Sequence, residues 1–471
     1  MKIDKRIVII GGGPAGCAAA AHALKKGFQN VTLLEAAGSL GGLHKDVEID
    51  GLHFDLGAFF FWSHHQILSL FPGLREKMIH AGSSGHLSLS NDFNLDKYPI
   101  TLRGYVKEHG LVATLWDLFR ILQYRVFHSE SECSNVEELL LYFMGPFYRK
   151  TGLDNYIQRL FHLHPGDIHV EFARKRVNGV IDKFRSKNVL KNILKGNFDY
   201  FARYSIAQNV WARPESGFAA MYEYIGEAIM VTGGNVLYNR RVEKINYRDK
   251  CIEVSDGSIV EYDYLLSSQP LHLTSKMTGI KLDAHINYQP LCSLFYEAKE
   301  AILPECFVLF NFSRKGKWKR ITFHSNYYNI EKTDNTPRRH YFVVESMPAK
   351  DELSNPLLTI ELDSDFRKTF ETTKLQDTFE NISLIGHRIT ENGYPVFGKS
   401  FDRTKVNDFH EGLLNWDIHN IGRQGEFDHV SSSDASRSAM NAIEAIWKKE
   451  EFAIHFPILT NNHINNPAHT I

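Results

Sequence analysis

The sequence predicts an α/β fold made of a discontinuous parallel-sheet domain, a mainly helical insertion and an antiparallel β-sheet domain. Two apolar runs, 7–10 and 31–34, flank a glycine-rich turn and an alanine-rich stretch, which is the pattern of a βαβ unit. Apolar residues at helical spacing dominate from 70 to 204, and alternating segments follow between 291 and 344. The predicted boundaries are 1–69, 205–285 and 380–450 for the parallel-sheet domain, 70–204 for the insertion, 286–379 for the antiparallel sheet and 451–471 for a tail.

The composition argues against several classes of function. The chain has 471 residues, enough for two or three packed regions, with an ordinary 43% of apolar and 23% of charged residues. Its 54 basic and 55 acidic side chains give a formal net charge of -1, so no electrostatic footprint for nucleic acid is expected. The sequence contains neither a GxSxG elbow nor a GxxxxGKS/T loop, which argues against serine hydrolases and P-loop NTPases.

The cysteines and the apolar segments bear on location. Five scattered cysteines without a CxxC pair indicate buried free thiols, as expected in a reducing cytosol. No apolar run is long enough to predict a membrane-spanning helix, and we expect a cytoplasmic protein. His162, His164 and His169 lack a convincing ligand spacing, so no metal site is predicted.

The first βαβ unit carries a dinucleotide-binding motif. Gly11, Gly13 and Gly16 match the GxGxxG pattern at the start of a predicted helix, with Pro14 and Ala15 between the last two glycines. The first glycine permits the tight turn, the second lets the backbone approach a pyrophosphate, and the third allows close helix–strand packing. Glu35 lies 19 residues beyond Gly16, where a carboxylate can bind a ribose diol. We therefore expect a Rossmann-like domain with a pyrophosphate at the helix N-terminus.

The rest of the chain supplies further predicted elements. Helices are expected over 111–126, 136–147 and 433–448, where apolar residues recur at helical spacing. Two apolar runs around Asp256 and Gly257 predict a β-hairpin. The other predicted strands are 235–245, 264–268, 307–312, 320–324 and 383–385.

Several short segments resemble the superfamily of FAD-containing amine oxidases, desaturases and sugar mutases. They are the GSLGG segment at 38–42, which ends in Gly41 and Gly42, and the segments 51–57, 214–218 and 421–434. The resemblance implies FAD as the cofactor, with Val242 pairing with the adenine. It also implies that Gly422, Arg423, Ser433 and Asp434 lie near the flavin ring and ribityl chain.

The segment 318–327, which contains Arg320, is similar to a segment of the eukaryotic-type UDP-galactopyranose mutases. That family uses N5 of reduced FAD to change the ring size of a nucleotide sugar without net oxidation. The resemblance implies Arg176 and Arg320 as clamps for the diphosphate of a nucleotide-diphosphate sugar, with NAD(P)H as a possible reductant. It further implies four substrate-binding residues, which are Tyr98, Asn326, Tyr327 and Tyr394.

Two positions depart from that family. Phe59 replaces a histidine expected beside the flavin, and His429 replaces a phosphate-contacting tyrosine while remaining a candidate catalytic residue. Loss of the flavin-side histidine keeps a second hypothesis open, an FAD-dependent oxidase, dehydrogenase or desaturase. A third hypothesis is a catalytically silent FAD-bound partner of a glycan-synthesis complex.

Overall fold

The structure is a computed structural model, and it describes residues 2–98, 102–177, 181, 184–185, 206–328 and 338–455. Its strands, in chain order, are β1 (Ile3–Ile10), β2 (Phe28–Leu34), β3 (Asp46–Ile49), β4 (Leu52–Asp55), β5 (Phe61–Trp62), β6 (Ile79–Leu89), β7 (Leu95–Lys97), β8 (Ile206–Ala212), β9 (Asn235–Leu237), β10 (Val242–Asn246), β11 (Cys251–Val254), β12 (Ile259–Glu261), β13 (Tyr264–Ser267), β14 (Asn287–Ala298), β15 (Val308–Asn311), β16 (Trp318–Thr322), β17 (His340–Ser346), β18 (Ile382–Val396) and β19 (Ile418–Asn420).

The helices fall mainly between these strands. In chain order they are α1 (Pro14–Lys25), α2 (Gln66–Leu70), α3 (Leu102–His109), α4 (Leu111–Phe127), α5 (Val136–Met144), α6 (Phe147–Lys150), α7 (Leu153–Phe161), α8 (Val170–Phe172), α9 (Gly217–Val231), α10 (Leu271–Thr278), α11 (His324–Tyr328), α12 (Leu358–Phe370), α13 (Arg403–Leu414), α14 (Gly422–Gly425) and α15 (Ser432–His455). A π-helical turn, Ala173–Val177, continues α8.

The predicted βαβ unit is confirmed. In the described chain, a parallel sheet of five strands has the order β19-β13-β1-β2-β9, and α1 connects β1 to β2. β1 lies between β2 and β13, so its apolar residues are buried on both faces of the sheet. Alanines along α1 are almost fully buried, which lets α15 pack closely against that helix. The two helices therefore begin next to each other.

A second, larger sheet is built from segments far apart in the sequence. Within the described residues it contains nine strands, with the order β18-β14-β17-β16-β15-β6-β8-β5 and with β7 added beside β6. The neighbouring strands are antiparallel except for β15 and β6, which run parallel. The predicted strands at 307–312, 320–324 and 383–385 all belong to this sheet.

The predicted helical interval 70–204 is wrong over its first part. Residues 79–97 form β6 and β7, and the helices begin only with α3. Small residues and glycines in 79–89 give that segment no clear alternating pattern, so its strand character depends on hydrogen bonds to the distant β8 and β15. β8 and β18 likewise pair within the large sheet, although the sequence grouped both with the parallel-sheet domain.

Two further predictions are confirmed. β11 and β12 form the antiparallel hairpin around Asp256 and Gly257, and β10 completes its small sheet. The last predicted helix is α15, which extends to His455. Among the described residues, no helix combines the length and the apolar character needed to cross a bilayer.

Candidate active site

Three glycines shape the turn between β1 and α1. Gly11 has a φ of 95°, a conformation that favours glycine, and its N–H donates to the carbonyl of Leu34 at 2.8 Å. A Cβ on Gly16 would overlap the carbonyl oxygen of Gly11, so only glycine lets the helix start this close to the strand. Pro14 occupies the first turn of α1, where its missing N–H loses no helical hydrogen bond. The turn therefore leaves free backbone N–H groups at a helix N-terminus, which suit a pyrophosphate.

The second glycine pair packs directly on the first. Gly41 donates to the carbonyl of Gly12 at 2.8 Å, and both Gly41 and Gly42 have positive φ values of 125° and 58°. A Cβ on Gly42 would lie 2.9 Å from the Cα of Gly13, which no real side chain tolerates. We call Gly11, Gly13, Gly16, Gly41 and Gly42 the glycine cradle. Its backbone is bare of side chains over the length of a diphosphate, and the residues present fit the ADP half of FAD.

The carboxylate of Glu35 closes one end of the cradle. It accepts hydrogen bonds from the backbone N–H groups of Gly12 and Ala37, both at 2.8 Å. These bonds fix the acid at the end of β2, where a ribose diol would reach it. Val242, predicted to contact adenine, begins β10 and pairs with Val254, and its side chain is buried.

A second helix N-terminus meets the cradle. Gly422 has a φ of 72°, and a Cβ there would lie 2.6 Å from the Cβ of Ala15 in α1. Ser433 lies in the first turn of α15, where its Oγ accepts from the backbone N–H of Gln66 at 3.4 Å. Asp434 is exposed and binds Ser431 and Arg437, and its contact with the cofactor stays a prediction. The structure thus places Gly422 near the start of α1 and Ser433 near the start of α2.

A buried ion cluster lies at the centre of the large sheet. Arg320 of β16 forms a two-pronged ion pair with Glu345 of β17, with Nη2 at 3.0 Å from Oε2 and Nε on Oε1. Lys319 contributes Nζ to the same carboxylate at 2.9 Å. Lys319 and Glu345 are buried, and Arg320 retains a 14% exposed side chain. Nearby Arg320 and Lys319 hold the pKa of Glu345 below its usual range although burial opposes this.

A β-bulge explains why two consecutive residues reach one carboxylate. Successive side chains of a regular strand point to opposite faces, which would separate Lys319 from Arg320. The register between β16 and β17 shifts between Trp318 and Arg320, so Lys319 is the extra residue. The bulge turns both cationic side chains toward Glu345.

Tyr394 of β18 connects the ion cluster to α14 and the segment that follows it. Lys319 Nζ donates to its hydroxyl at 2.7 Å, and His429 stacks on its ring at 5.0 Å between centroids. Arg423 lies over the same ring, 5.5 Å from the centroid, and donates to the carbonyl of Val430. Because Arg423 directly follows Gly422, this contact places the ion cluster beside the cradle. We call Lys319, Arg320, Glu345, Tyr394 and Arg423 the cationic cleft.

The cleft changes the acidity of its members. Burial alone would raise the pKa of Tyr394, but the ammonium of Lys319 and the guanidinium groups of Arg320 and Arg423 lower it below its ordinary value. Burial, with the charges of Arg176 and Arg320, lowers the pKa of Arg423 to about 10. Burial also lowers the pKa of His429 well below its usual range, so this ring is neutral.

The loop after β4 covers the ion cluster. A Cβ on Gly57 would lie 3.2 Å from the carboxyl of Glu345 and 3.3 Å from Nη2 of Arg320. Phe59, two residues further on, is half-buried and packs on His44 and Phe218, with ring centroids 4.9 and 5.5 Å away. The position where the mutases have a histidine is therefore an apolar corner.

The two remaining candidates, Tyr98 and Arg176, lie within electrostatic range of cleft residues. Tyr98 is half-buried and stacks on Phe310 at 4.3 Å. Arg176 is exposed in the π-helical turn, and its charge acts on Tyr98, Arg423 and His429. The structure thus brings Arg176, Arg320, Arg423, Tyr394 and His429 together.

Two predicted substrate ligands have other tasks. The side-chain amide of Asn326 donates to three backbone carbonyls in the loop before β15, at 2.7 to 3.1 Å, so its nitrogen is used to hold that loop. Tyr327 is fully buried against Phe60 and Phe307, away from solvent. The hydroxyl of Tyr327 has no hydrogen-bond partner among the described residues, and the substrate contacts of Asn326 and Tyr327 stay predictions.

Sequence reasoning assigned no role to four residues that build this site. Lys319 and Glu345 complete the ion cluster, Gly57 lets the covering loop approach it, and His44 supports Phe59. His44 is buried, with Nδ1 at 2.9 Å from the hydroxyl of Tyr222. Lys319 stands next to Arg320 in the sequence, which could have pointed to a joint role. Because consecutive side chains of a regular strand point to opposite faces, the two residues were not expected at one carboxylate.

Comparison with known proteins agrees with this geometry. A family model described as an NAD(P)-binding Rossmann-like domain matches residues 9–72. The 4,4'-diaponeurosporene oxygenase of Staphylococcus haemolyticus is 22% identical over 290 residues, which are 56% of this chain and 55% of that protein. The chain thus matches about half the length of that curated relative.

Solved structures match over nearly the whole chain. A reduced UDP-galactopyranose mutase superposes with a TM-score of 0.72 at 19% identity, covering 94% of this chain and 95% of the mutase. Wild-type putrescine oxidase bound to putrescine gives a TM-score of 0.58 at 14% identity, covering 95% and 99%. The chain shares the fold of the FAD-dependent amine oxidase and mutase superfamily. This confirms the predicted superfamily resemblance, the fold class and FAD as the cofactor.

Proposed function

We propose that the protein is a flavin-dependent mutase-like enzyme that changes the ring size of a nucleotide-diphosphate sugar in glycan or polysaccharide biosynthesis. The observation that carries the proposal is the cationic cleft, which lies beside the glycine cradle through the consecutive residues Gly422 and Arg423. When bound, reduced FAD supplies an electron-rich N5 for the anomeric carbon, and NAD(P)H is the proposed reductant. The chain itself must hold and release the diphosphate.

The charge of the cleft suits a diphosphate. Lys319, Arg320 and Arg423 are cationic, Glu345 neutralises one of them, and Arg176 adds a charge within electrostatic range. A partly dry site with excess positive charge binds a dianion and stabilises it further as it leaves the sugar carbon. Loss of the diphosphate from the anomeric carbon is the step that such a site accelerates.

Glu345 prepares Arg320 for this task. Its carboxylate holds Nε and Nη2, which fixes the plane of the guanidinium. The remaining Nη1 has no partner within the described part of the chain, so it can donate to phosphate oxygens. A fixed arginine loses less side-chain entropy on binding than a mobile one.

Tyr394 and His429 would handle a proton in the cleft. The hydroxyl of Tyr394 accepts from Lys319 and has a lowered pKa, so it can give a proton more readily than an ordinary phenol. His429 is neutral and stacked on that ring, and its Nδ1 has no hydrogen-bond partner among the described residues. We propose that Tyr394 binds the diphosphate or donates to a sugar oxygen, with His429 as the neighbouring acceptor.

The second candidate is an FAD-dependent oxidoreductase. Phe59 and Phe60 give the loop after β4 an apolar surface beside the proposed flavin position. A hydrophobic substrate would fit this surface. The match to a diaponeurosporene oxygenase and the fold shared with putrescine oxidase favour the same alternative.

One anaerobic experiment separates the two candidates. The purified FAD-loaded protein, oxidised and dithionite-reduced, is incubated with a panel of nucleotide sugars, and products are followed by chromatography. The proposal expects ring-size interconversion only in the reduced sample, without bleaching of oxidised flavin by substrate. The oxidised sample is also incubated with amines and polyenes, and bleaching there would establish the oxidoreductase. FAD binding without nucleotide affinity or turnover would indicate a silent partner.

A further inference from the structure

Helix α4 presents a broad apolar surface to solvent. Six of its large apolar side chains are Leu115, Trp116, Phe119, Leu122, Val126 and Phe127, and each is more than half exposed. Leu111 and Val112, the first two residues of the helix, are also more than half exposed. We call these eight side chains the α4 arc. A surface of this extent is unusual for a protein that meets only water.

The arc is continuous around the helix. At 100° per residue, its members span about 160° of the circumference, and Gln123 is the polar side chain within it. Thr114, Asp117 and Ile121 lie on the opposite side and are buried. α4 thus uses one face to pack on the protein and leaves the other apolar face uncovered.

The charges carried by α4 itself suit an anionic surface. The carboxylate of α4 belongs to Asp117, which is buried and accepts from Tyr105 at 2.8 Å and from Lys150 at 2.6 Å. The exposed Arg120 borders the arc. No acidic side chain of α4 would therefore repel anionic headgroups, and one cation would attract them.

A second copy of the chain would cover this surface poorly. In the parts of α3 and α5 that the structure describes, no large apolar side chain is exposed, so the apolar surface is a ridge one helix wide. If two copies packed their α4 helices against each other, the contact would be narrower than the arc. Much of the α4 arc would then stay exposed to water. A bilayer surrounds the whole arc, because the helix can sink to its axis while its polar neighbours stay at headgroup level.

We propose that α4 seats the protein on the surface of a bilayer that contains anionic lipid. The helix lies parallel to the membrane plane with its arc in the acyl boundary, and Arg120 contacts the headgroups. This attachment is independent of the proposed reaction, since none of the arc residues belongs to the cleft or the cradle.

The test is flotation of the full FAD-loaded chain with vesicles of equal parts phosphatidylcholine and phosphatidylglycerol. The wild type should float, and the variant Trp116→Glu with Phe119→Glu should lose more than about tenfold in partition coefficient. A second variant, Trp116→Lys with Phe119→Lys, should also lose binding, because the apolar contact is the main attraction. The matched control changes exposed apolar residues elsewhere, Val231→Glu with Ile360→Glu, and should float like the wild type.

Three results would overturn the proposal. The wild type could stay at the bottom of the gradient with these vesicles. The arc variants could float as well as the wild type while keeping their FAD absorbance, which reports folding. Light scattering could instead show a wild-type dimer that the arc variants convert to monomer, without flotation, which would make a second copy the occupant.

Discussion

The glycine cradle and the cationic cleft lie side by side but are built in opposite ways. The cradle is made of backbone atoms from the first 42 residues, and its shape follows from positions where a Cβ cannot fit. The cleft is made of side chains from β16, β17, β18 and α14, which are distant in sequence. The cradle therefore tolerates almost no change of shape, whereas the cleft depends on its balance of charge.

The largest expected effect comes from filling the cradle. Gly16→Ala would place a Cβ on the carbonyl of Gly11, destabilising the fold by about 3 kcal/mol or more and abolishing FAD binding. The ratio of flavin to protein absorbance measures the loss. Gly412→Ala in α13 is the control, since a Cβ there meets nothing within 4 Å, and it should retain FAD. Full FAD occupancy of the Gly16 variant would contradict the account of the cradle.

The next effect tests the charge balance of the cleft. Glu345→Gln leaves the buried Lys319 and Arg320 without their shared carboxylate, which should lower the free energy of unfolding by about 3 kcal/mol. Glu253→Gln removes an exposed partner of Lys244 and should change it by less than about 1 kcal/mol. Denaturant unfolding of both variants measures the difference. Equal losses would mean that the cleft is not a buried ion cluster.

At mildly acidic pH a smaller effect comes from His44, which lies beside the cradle and donates its backbone N–H to Gly41. Burial, with the charges of His65 and Arg423, lowers the pKa of this histidine to about 3 in the folded protein. The unfolded chain takes up the proton near pH 6.5, so stability is complete above that pH and falls by about 1.4 kcal/mol per pH unit below it, until about pH 3. Thermal melting should therefore drop more steeply with acid in the wild type than in His44→Gln. Melting temperatures that fall equally with acid in the wild type and in His44→Gln would contradict the lowered pKa of His44.

The smallest effect concerns the acidity of Tyr394. The difference spectrum between the wild type and Tyr394→Phe should show the phenolate band at a lower pH than for an ordinary tyrosine. Lys319→Met should move that band to higher pH, because it removes the nearest cation. A phenolate band that does not move in Lys319→Met would mean that the Lys319 ammonium does not lower the pKa of Tyr394.

The same contrast explains what the sequence could predict. The GxGxxG motif and the second glycine pair describe local backbone requirements, so α1 and the strands β1, β2 and β13 were predicted correctly. The edge strand β19 was not predicted, and the predicted strand 235–245 divides between two sheets. The pairing of Arg320 with Glu345 depends on the register of β16 against β17, and the bulge at Lys319 reverses the usual alternation. The resemblance supplied the positions of Asn326 and Tyr327 but not the direction of their side chains, which depends on how α11 packs.

Nucleotide binding to Arg320→Ala tests the central claim most directly. The variant leaves Lys319 paired with Glu345, so the buried charges stay balanced while the proposed phosphate donor is lost. Arg339→Ala removes the arginine of a similar two-pronged pair with Glu297 and serves as the control. Titration calorimetry with UDP should show at least a roughly tenfold loss of affinity for the Arg320 variant alone, with FAD retained in both. Unchanged UDP affinity in Arg320→Ala would contradict the diphosphate site.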